Sequence, residues 1–242
     1  MKSIRYKFLN RRVFSQYYFN FLDHMYPKLS ETKKLIKNGY FIFNEKFPLD
    51  ILDIKKYLEY KNLDFVFDRK KINESDLKII YKKLNNIGLF DVIKEYLGKE
   101  LLSYDNTMLT LGTKKSNEGS WQPHHDSKGR RLKIYIWLNN INYNTHPLFY
   151  KKGSHRNILN WKKYEDTRFK NEKNFDKIYG ELGSILIFDT NGIHSNFKDS
   201  IEPRSVIELT IESKGFLRRI HNRNLKEETK KLGCIKLNEL IN

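Results

Sequence analysis

The sequence predicts a mainly β protein with flanking helices: a double-stranded β-helix (jelly roll, cupin-like) core behind an N-terminal helical buttress. Two patterns carry this expectation. Through about residue 100, apolar residues recur at helical spacing; from about residue 101, short runs rich in Ile, Tyr, Leu and Thr alternate with polar stretches containing Gly, Asn and Pro. A third observation bounds the answer, because 242 residues with 39% hydrophobic and 14% aromatic content can bury one substantial core. We expect one domain over residues 1–242, helical to about 100, jelly roll over about 101–213, with a tail over 214–242.

Taken in order, Ser30 is placed to cap a short helix through Lys37, Gly39 stops it, and residues 40–43 suggest a first strand. Pro48 opens another helix. Leu77, Ile80, Tyr81 and Leu84 share one helical face, and Phe90, Ile93, Tyr96 and Leu97 share another before Gly98. Residues 107–111, 132–138, 148–150, 184–188 and 205–211 fit strands of two packed sheets. The stretch from Lys151 to Ile185 is long for a loop and holds Trp161, Tyr164, Phe169, Phe175 and Tyr179, which argues for an ordered insert or lid. Beyond Ser213, Leu225, Leu232, Ile235, Leu237 and Leu240 suit a docked tail, although Gly233 argues against one continuous helix. The basic run Arg218, Arg219, Arg223 offers an anion or partner contact instead.

Composition excludes several classes. No run approaches the roughly 20 apolar residues of a membrane span, and the first residues lack the apolar centre of a secretory signal, so a cytoplasmic enzyme is expected. Cys234 is the single cysteine, which leaves no internal disulfide and no thiolate metal cluster. Any metal must rest on imidazole and carboxylate. The formal charge is +17, and residues 1–38 and 214–242 contribute +12 of it. That excess favours anionic partners, but no recognised nucleic-acid motif accompanies it, and a nucleic-acid partner is not expected.

The chemistry concentrates in His124, Asp126 and His194, with Arg204 ten residues further on. On an extended segment alternate side chains share a face, so His124 and Asp126 point together and His125 points elsewhere. His194 follows the apolar run 185–188 and a turn-forming Asp-Thr-Asn-Gly, at the start of a returning strand. Two imidazoles and one carboxylate with open positions suit non-haem Fe(II) and oxygen chemistry. Alone, a His-x-Asp is a weak signal. Arg204 strengthens it, because a buried guanidinium on an apolar strand needs an anion, either an acidic co-substrate or a structural Asp or Glu. A jelly roll that binds metal without redox turnover and a basic nucleic-acid-binding module are the alternatives.

The chain resembles the phytanoyl-CoA dioxygenase-like family of Fe(II)- and 2-oxoglutarate-dependent oxygenases. The likeness rests on Trp121-Gln-Pro-His-His-Asp126, Gly153-Ser-His155, Gly183 opening a strand that ends at Phe188, and His194 with Arg204. Asn38-Gly-Tyr-Phe-Ile-Phe43 looks like that family's first strand, so the likeness spans most of residues 35–212. The resemblance implies that His124, Asp126 and His194 bind Fe(II) and that Arg204 pairs with the distal carboxylate of 2-oxoglutarate. Tyr135 sits where the family often has an aromatic beside the co-substrate, and Asn196 adds a hydrogen bond. It further implies use of O2, release of succinate and CO2, and hydroxylation of an unactivated C–H bond in a small or carrier-linked metabolite, an anionic one included.

Asp126 matters here because related halogenases lack this carboxylate, so hydroxylation is favoured over halogenation. The chain departs from the family at His146, where a Gly is usual, and at Lys152, which replaces a Pro before Gly-Ser-His. Trp121, His125 and Lys152 are the candidate substrate contacts, with Lys151 and Arg156 nearby. His155 reads as structural, bonding its own loop. Substrate identity and oligomeric state are not set by these residues.

Overall fold

The structure is a computed structural model that describes residues 27–54, 58, 62–114, 122–126, 131–156, 174–196, 201–213 and 235–241. Helix α1 (Ser30–Asn38) leads into strand β1 (Tyr40–Ile42), and a single 3-10 turn (Leu49–Ile51) follows. Strand β2 (Phe67–Lys71) precedes helices α2 (Glu74–Asn86) and α3 (Leu89–Leu97). Then come β3 (Leu101–Leu111), β4 (Arg131–Trp137), β5 (Leu148–Tyr150), β6 (Asp176–Ile178), β7 (Ile185–Asp189), β8 (His194–Asn196) and β9 (Arg204–Ser213), with β10 (Ile235–Lys236) and helix α4 (Leu237–Ile241) last. The mainly β class with flanking helices is as the sequence predicts.

The strands form two antiparallel sheets. The larger runs β1-β7-β4-β9-β3-β10 with β2 added on β3, and the smaller runs β6-β5-β8. Alternation along the large sheet divides its residues between two cores. Ile134, Ile136, Ile185, Ile187, Ile207, Leu209 and Ile211 face the helices, joining Leu35, Ile80, Leu84, Phe90 and Ile93. Tyr135, Trp137, Leu186, Phe188 and Val206 face the small sheet, against Leu148, Tyr150 and Ile178. That second, inner face is where the candidate functional residues project.

Local chemistry explains several boundaries. Gly39 takes the left-handed conformation, φ 85°, and its N–H closes α1 on the Leu35 carbonyl at 2.7 Å. Asn73 caps α2 by accepting from the Asp76 N–H at 2.8 Å. Ser30 is not a cap: the helix already includes it, and the Glu95 carboxylate on α3 accepts the N–H groups of Lys28 and Leu29 at 2.6 and 3.2 Å. Pro48 leads only into the 3-10 turn. β2 was not foreseen because its sequence, Phe-Asp-Arg-Lys-Lys, has no apolar alternation and is an edge strand. β3 begins six residues earlier than expected, since a register shift between Tyr104 and Thr107 breaks the period of two.

Within 151–185, Phe175 packs 6.5 Å from Phe149, and β6 adds the edge of the small sheet. Trp161, Tyr164 and Phe169 lie outside the described residues, as do Trp121, Arg218, Arg219, Arg223, Leu225, Leu232 and Cys234. His155 is buried, and its Nε2 meets the Ile36 carbonyl at 3.0 Å, which ties the turn after β5 to α1. In the tail, β10 pairs with β3, and Leu237 and Leu240 are buried in the helix-side core. No helix among the described residues is long and apolar enough to cross a membrane.

Ile134 is fully buried in the large sheet between Ile187 and Leu209. Ile134→Ala is expected to lower unfolding stability by about 3 kcal/mol, read as a fall in the denaturant midpoint at constant slope.

Candidate metal centre

Two backbone hydrogen bonds bring the histidines together. His124 N–H donates to the His194 carbonyl and His194 N–H to the His124 carbonyl, each at 2.9 Å, forming an isolated antiparallel bridge. Residues that exchange both bonds sit directly opposite each other, so their side chains leave on one face. Asp126, two residues on, is held by its N–H on the Thr190 carbonyl at 2.9 Å. The imidazole centroids are 4.5 Å apart, and one ligand atom from each of His124, Asp126 and His194 lies within 4.8 Å of the others.

The imidazoles are oriented as well as placed. His124 Nδ1–H donates to the Gln122 carbonyl at 2.7 Å, and His194 Nδ1–H to the Gly192 carbonyl at 2.8 Å. Both Nε2 atoms face inward, at 3.1 and 3.7 Å from Asp126 Oδ1. A backbone acceptor on one nitrogen and a free lone pair on the other is the arrangement of a metal-binding histidine. The Gly192 carbonyl is fixed in turn. The Tyr150 hydroxyl donates to the Asp189 carbonyl at 2.8 Å, and a Cβ on Gly192 would lie 1.8 Å from that hydroxyl.

Burial, with the neighbouring His124, pushes the His194 imidazole down to about 3 despite the pull of Asp126, so it is neutral near pH 7 and ready to ligate. Burial works to raise the Asp126 carboxyl, but the adjacent His194 and His124 rings and the Lys133 ammonium outweigh it and hold it well below the usual carboxylate range. The cluster thus offers two imidazole nitrogens and one carboxylate oxygen. These donors fit a divalent ion of the first transition series.

Arg204 opens β9 and is 1% exposed. Its Nη1 donates to the His146 carbonyl at 2.6 Å and its Nη2 to Asn196 Oδ1 at 2.7 Å, while its Nε is buried without a hydrogen-bond partner. Its guanidinium carbon lies 5.5 Å from the centre of the Tyr135 ring. Burial lowers its basicity, with Tyr135 and Glu208 opposing that, yet among the described residues no carboxylate forms an ion pair with it. Asn196 and His194 are two residues apart on β8, roughly 6.6 Å along a strand.

His146, where a Gly had been usual, is the single described non-Gly residue at positive φ, 51°. It takes up the glycine-like backbone itself. Its Nε2 meets the Gly112 carbonyl at 3.0 Å, and its own carbonyl steadies Arg204. The structure therefore brings His124, Asp126 and His194 together and joins Arg204 to Tyr135 and Asn196. His125 is half-buried beside the cluster in sequence, and Lys152 is exposed on the turn after β5.

Sequence reasoning missed Arg131, Lys133 and Glu208, which line the same inner face. Lys133 Nζ is 2.8 Å from Asp126 Oδ2 and 3.5 Å from Glu208 Oε2, and Arg131 Nη2 is 3.5 Å from Asp126 Oδ2. Burial works to lower the Lys133 ammonium, but the Glu208 and Asp126 charges hold it above its usual range. The available signal was period-two charge on an apolar strand: Arg131, Lys133 and Tyr135 on β4, and Arg204, Glu208 and Glu212 on β9.

The comparisons agree with this architecture at low sequence identity. No protein-family model matches the chain, and no curated protein matches it by sequence. Among solved structures, HygX from Streptomyces hygroscopicus, with nickel and 2-oxoglutarate bound, has a TM-score of 0.57 at 13% identity, covering 79% of this chain and 89% of its own. EctD from S. alaskensis, with 2-oxoglutarate and 5-hydroxyectoine, has a TM-score of 0.52 at 16% identity over 77% of this chain and 76% of its own. The non-haem α-ketoglutarate-dependent epimerase SnoN from nogalamycin biosynthesis has a TM-score of 0.52 at 14% identity over 75% of this chain and 81% of its own. The chain shares the jelly-roll fold of these structures.

A buried neutral His194 predicts an acid weakness. Unfolded, the imidazole binds a proton below about pH 6.5; folded, it does so only near 3. Between those values the unfolded state carries more protons, so stability rises with pH and is lost as pH falls. Asp126 adds a loss of the same sign below about pH 4. The thermal midpoint of metal-free protein is expected to fall from about pH 7 to about pH 4, and His194→Gln to flatten that dependence. An unchanged slope in His194→Gln contradicts the assignment.

Proposed function

We propose that this chain is an Fe(II)- and 2-oxoglutarate-dependent dioxygenase that hydroxylates an unactivated C–H bond, with release of succinate and CO2. The carrying observation is the conjunction of a His-Asp-His cluster, its ligand atoms within 4.8 Å, with a buried arginine that no described carboxylate neutralises. His124, Asp126 and His194 hold the iron. Arg204 takes the distal carboxylate of 2-oxoglutarate, Asn196 orients that guanidinium, and the Tyr135 ring lines the space between. With iron bound, the site supplies oxygen activation coupled to decarboxylation of 2-oxoglutarate.

The protein's own part is placement and exclusion of water. The bridge between His124 and His194 sets the ligand spacing, the backbone acceptors on each Nδ1 turn both Nε2 atoms toward Asp126, and the apolar wall of Leu186, Phe188 and Val206 shields the site from water. The presence of Asp126 supports hydroxylation over halogenation. We assign Trp121, His125 and Lys152 to the substrate side of the site and a small or carrier-linked metabolite as substrate. The +17 charge favours an anionic one.

The test is a screen of candidate metabolites for stimulated succinate formation with anaerobically loaded iron. Asp126→Ala is expected to abolish the stimulated turnover, and full turnover in that variant contradicts the ligand assignment. Arg204→Gln is expected to raise the 2-oxoglutarate Kd about tenfold to hundredfold while leaving metal uptake intact, as calorimetry on the metal-loaded protein reads directly. An unchanged Kd removes Arg204 from the co-substrate site.

A further inference from the structure

The two oxygens of Asp126 have different surroundings. Oδ1 faces His124 Nε2 and His194 Nε2 at 3.1 and 3.7 Å. Oδ2 faces two cations, Lys133 Nζ at 2.8 Å and Arg131 Nη2 at 3.5 Å. Both cations are anchored from behind. Arg131 donates from Nε to Thr190 Oγ1 at 3.1 Å and from Nη1 to the Tyr104 hydroxyl at 2.9 Å. Lys133 is held by Glu208 Oε2 at 3.5 Å, and Glu208 Oε1 pairs with Arg69 Nη1 at 3.1 Å.

Register builds this chain of charges. Lys133 and Tyr135 are adjacent inward positions on β4, and Glu208 lies opposite Tyr135 on β9, so Lys133 and Glu208 are diagonal neighbours within reach of long side chains. Glu208 is fully buried and the Lys133 side chain is 13% exposed. Taking such a pair out of water is costly, and an apolar pair of similar volume is often as stable, so fold stability alone is a weak reason for it. Its contact with Asp126 supplies a better one.

We propose that Lys133, anchored by Glu208, is a positioning residue that reserves Asp126 Oδ2 and so makes Asp126 a one-oxygen metal ligand. This rests on the reading of His124, Asp126 and His194 as a metal centre. A carboxylate can bind an ion through one oxygen or both. An octahedral ion held by three protein atoms would have three further positions, of which a chelating 2-oxo acid would take two. A second oxygen from Asp126 would occupy a position the co-substrate or oxygen needs. With Oδ2 hydrogen-bonded to the ammonium, the carboxylate cannot turn to chelate.

The test must separate positioning from charge. Removing Lys133 alone deletes a cation beside a dication, which by itself strengthens metal binding and opposes the positioning loss. Lys133→Met with Glu208→Gln removes one charge of each sign and leaves the net local charge unchanged. Cobalt(II) is titrated anaerobically into the full chain, its visible absorption recorded, and 2-oxoglutarate then added. The double variant is expected to show an altered cobalt spectrum and an affinity for 2-oxoglutarate reduced about tenfold or more, the scale of lost outer-shell contacts. Lys133→Arg keeps a donor on Oδ2 and is expected to retain the parent spectrum. Lys133→Met alone, with Glu208 still paired to Arg69, is expected to change the spectrum in the same way.

The proposal is overturned if the double variant keeps the parent spectrum and binds 2-oxoglutarate within about threefold of the parent. It is equally overturned if cobalt affinity falls with the spectrum unchanged, because a loosened fold alone gives that. If the parent protein takes up no cobalt, the metal-centre reading itself fails and this inference falls with it.

Discussion

One pair of backbone hydrogen bonds, between His124 and His194, sets the geometry on which the site depends. It joins segments seventy residues apart and sets the separation of two imidazoles before any side-chain chemistry is involved. The pair is held from outside. The Tyr96 hydroxyl donates to Asp189 Oδ2 at 2.6 Å, Asn191 N–H bonds Asp189 Oδ1 at 2.8 Å, and Tyr150 reaches the Asp189 carbonyl. The turn that delivers Gly192 and His194 is thereby fixed to α3 on one side and to the small sheet on the other. The supports of that turn are buried hydrogen bonds from two separate elements, which position the residues they deliver.

The second constraint is the separation of chemistry by sheet face. On β4, Leu132, Ile134 and Ile136, and on β9, Ile207, Leu209 and Ile211, pack on the helices, where burial supplies stability. The residues between them carry Arg131, Lys133, Tyr135, Arg204 and Glu208 toward the small sheet. Buried charge is tolerated there because each group has a partner: Asp126 with Lys133, Lys133 with Glu208, Glu208 with Arg69. Arg204 differs. Its partners are a carbonyl, an amide oxygen and an aromatic face, all neutral, and that leaves its charge available to an incoming anion.

Much of this was readable in the chain, and the exceptions have physical reasons. The helical faces of α2 and α3 and the core strands β4, β5, β7 and β9 follow from periodicity, which buried elements obey. Edge elements do not: β2 is a charged strand whose pairing depends on β3, and Glu95 on a distant helix holds the chain entering α1, so neither leaves a local signature. The candidate ligands His124, Asp126 and His194 carry a recognisable spacing, and Arg204 follows them. Lys133 and Glu208 were passed over because a charged residue inside an apolar strand reads as ordinary exposure until the sheet's second face is known to be covered. His146 shows the reverse case: the departure from glycine was visible, but only the backbone shows that the histidine adopts the glycine-like φ of 51° and contributes its carbonyl to Arg204.

The central claim is that a divalent ion and a dicarboxylate share this inner face. A crystal structure of the chain with a redox-silent divalent ion and 2-oxoglutarate tests it most directly, with anomalous scattering locating the ion. The account predicts the ion bonded to Nε2 of His124, Nε2 of His194 and Oδ1 of Asp126, Oδ2 still on Lys133, and the distal carboxylate of the diacid on Arg204. An ion bound elsewhere, or a diacid that leaves Arg204 untouched, contradicts it.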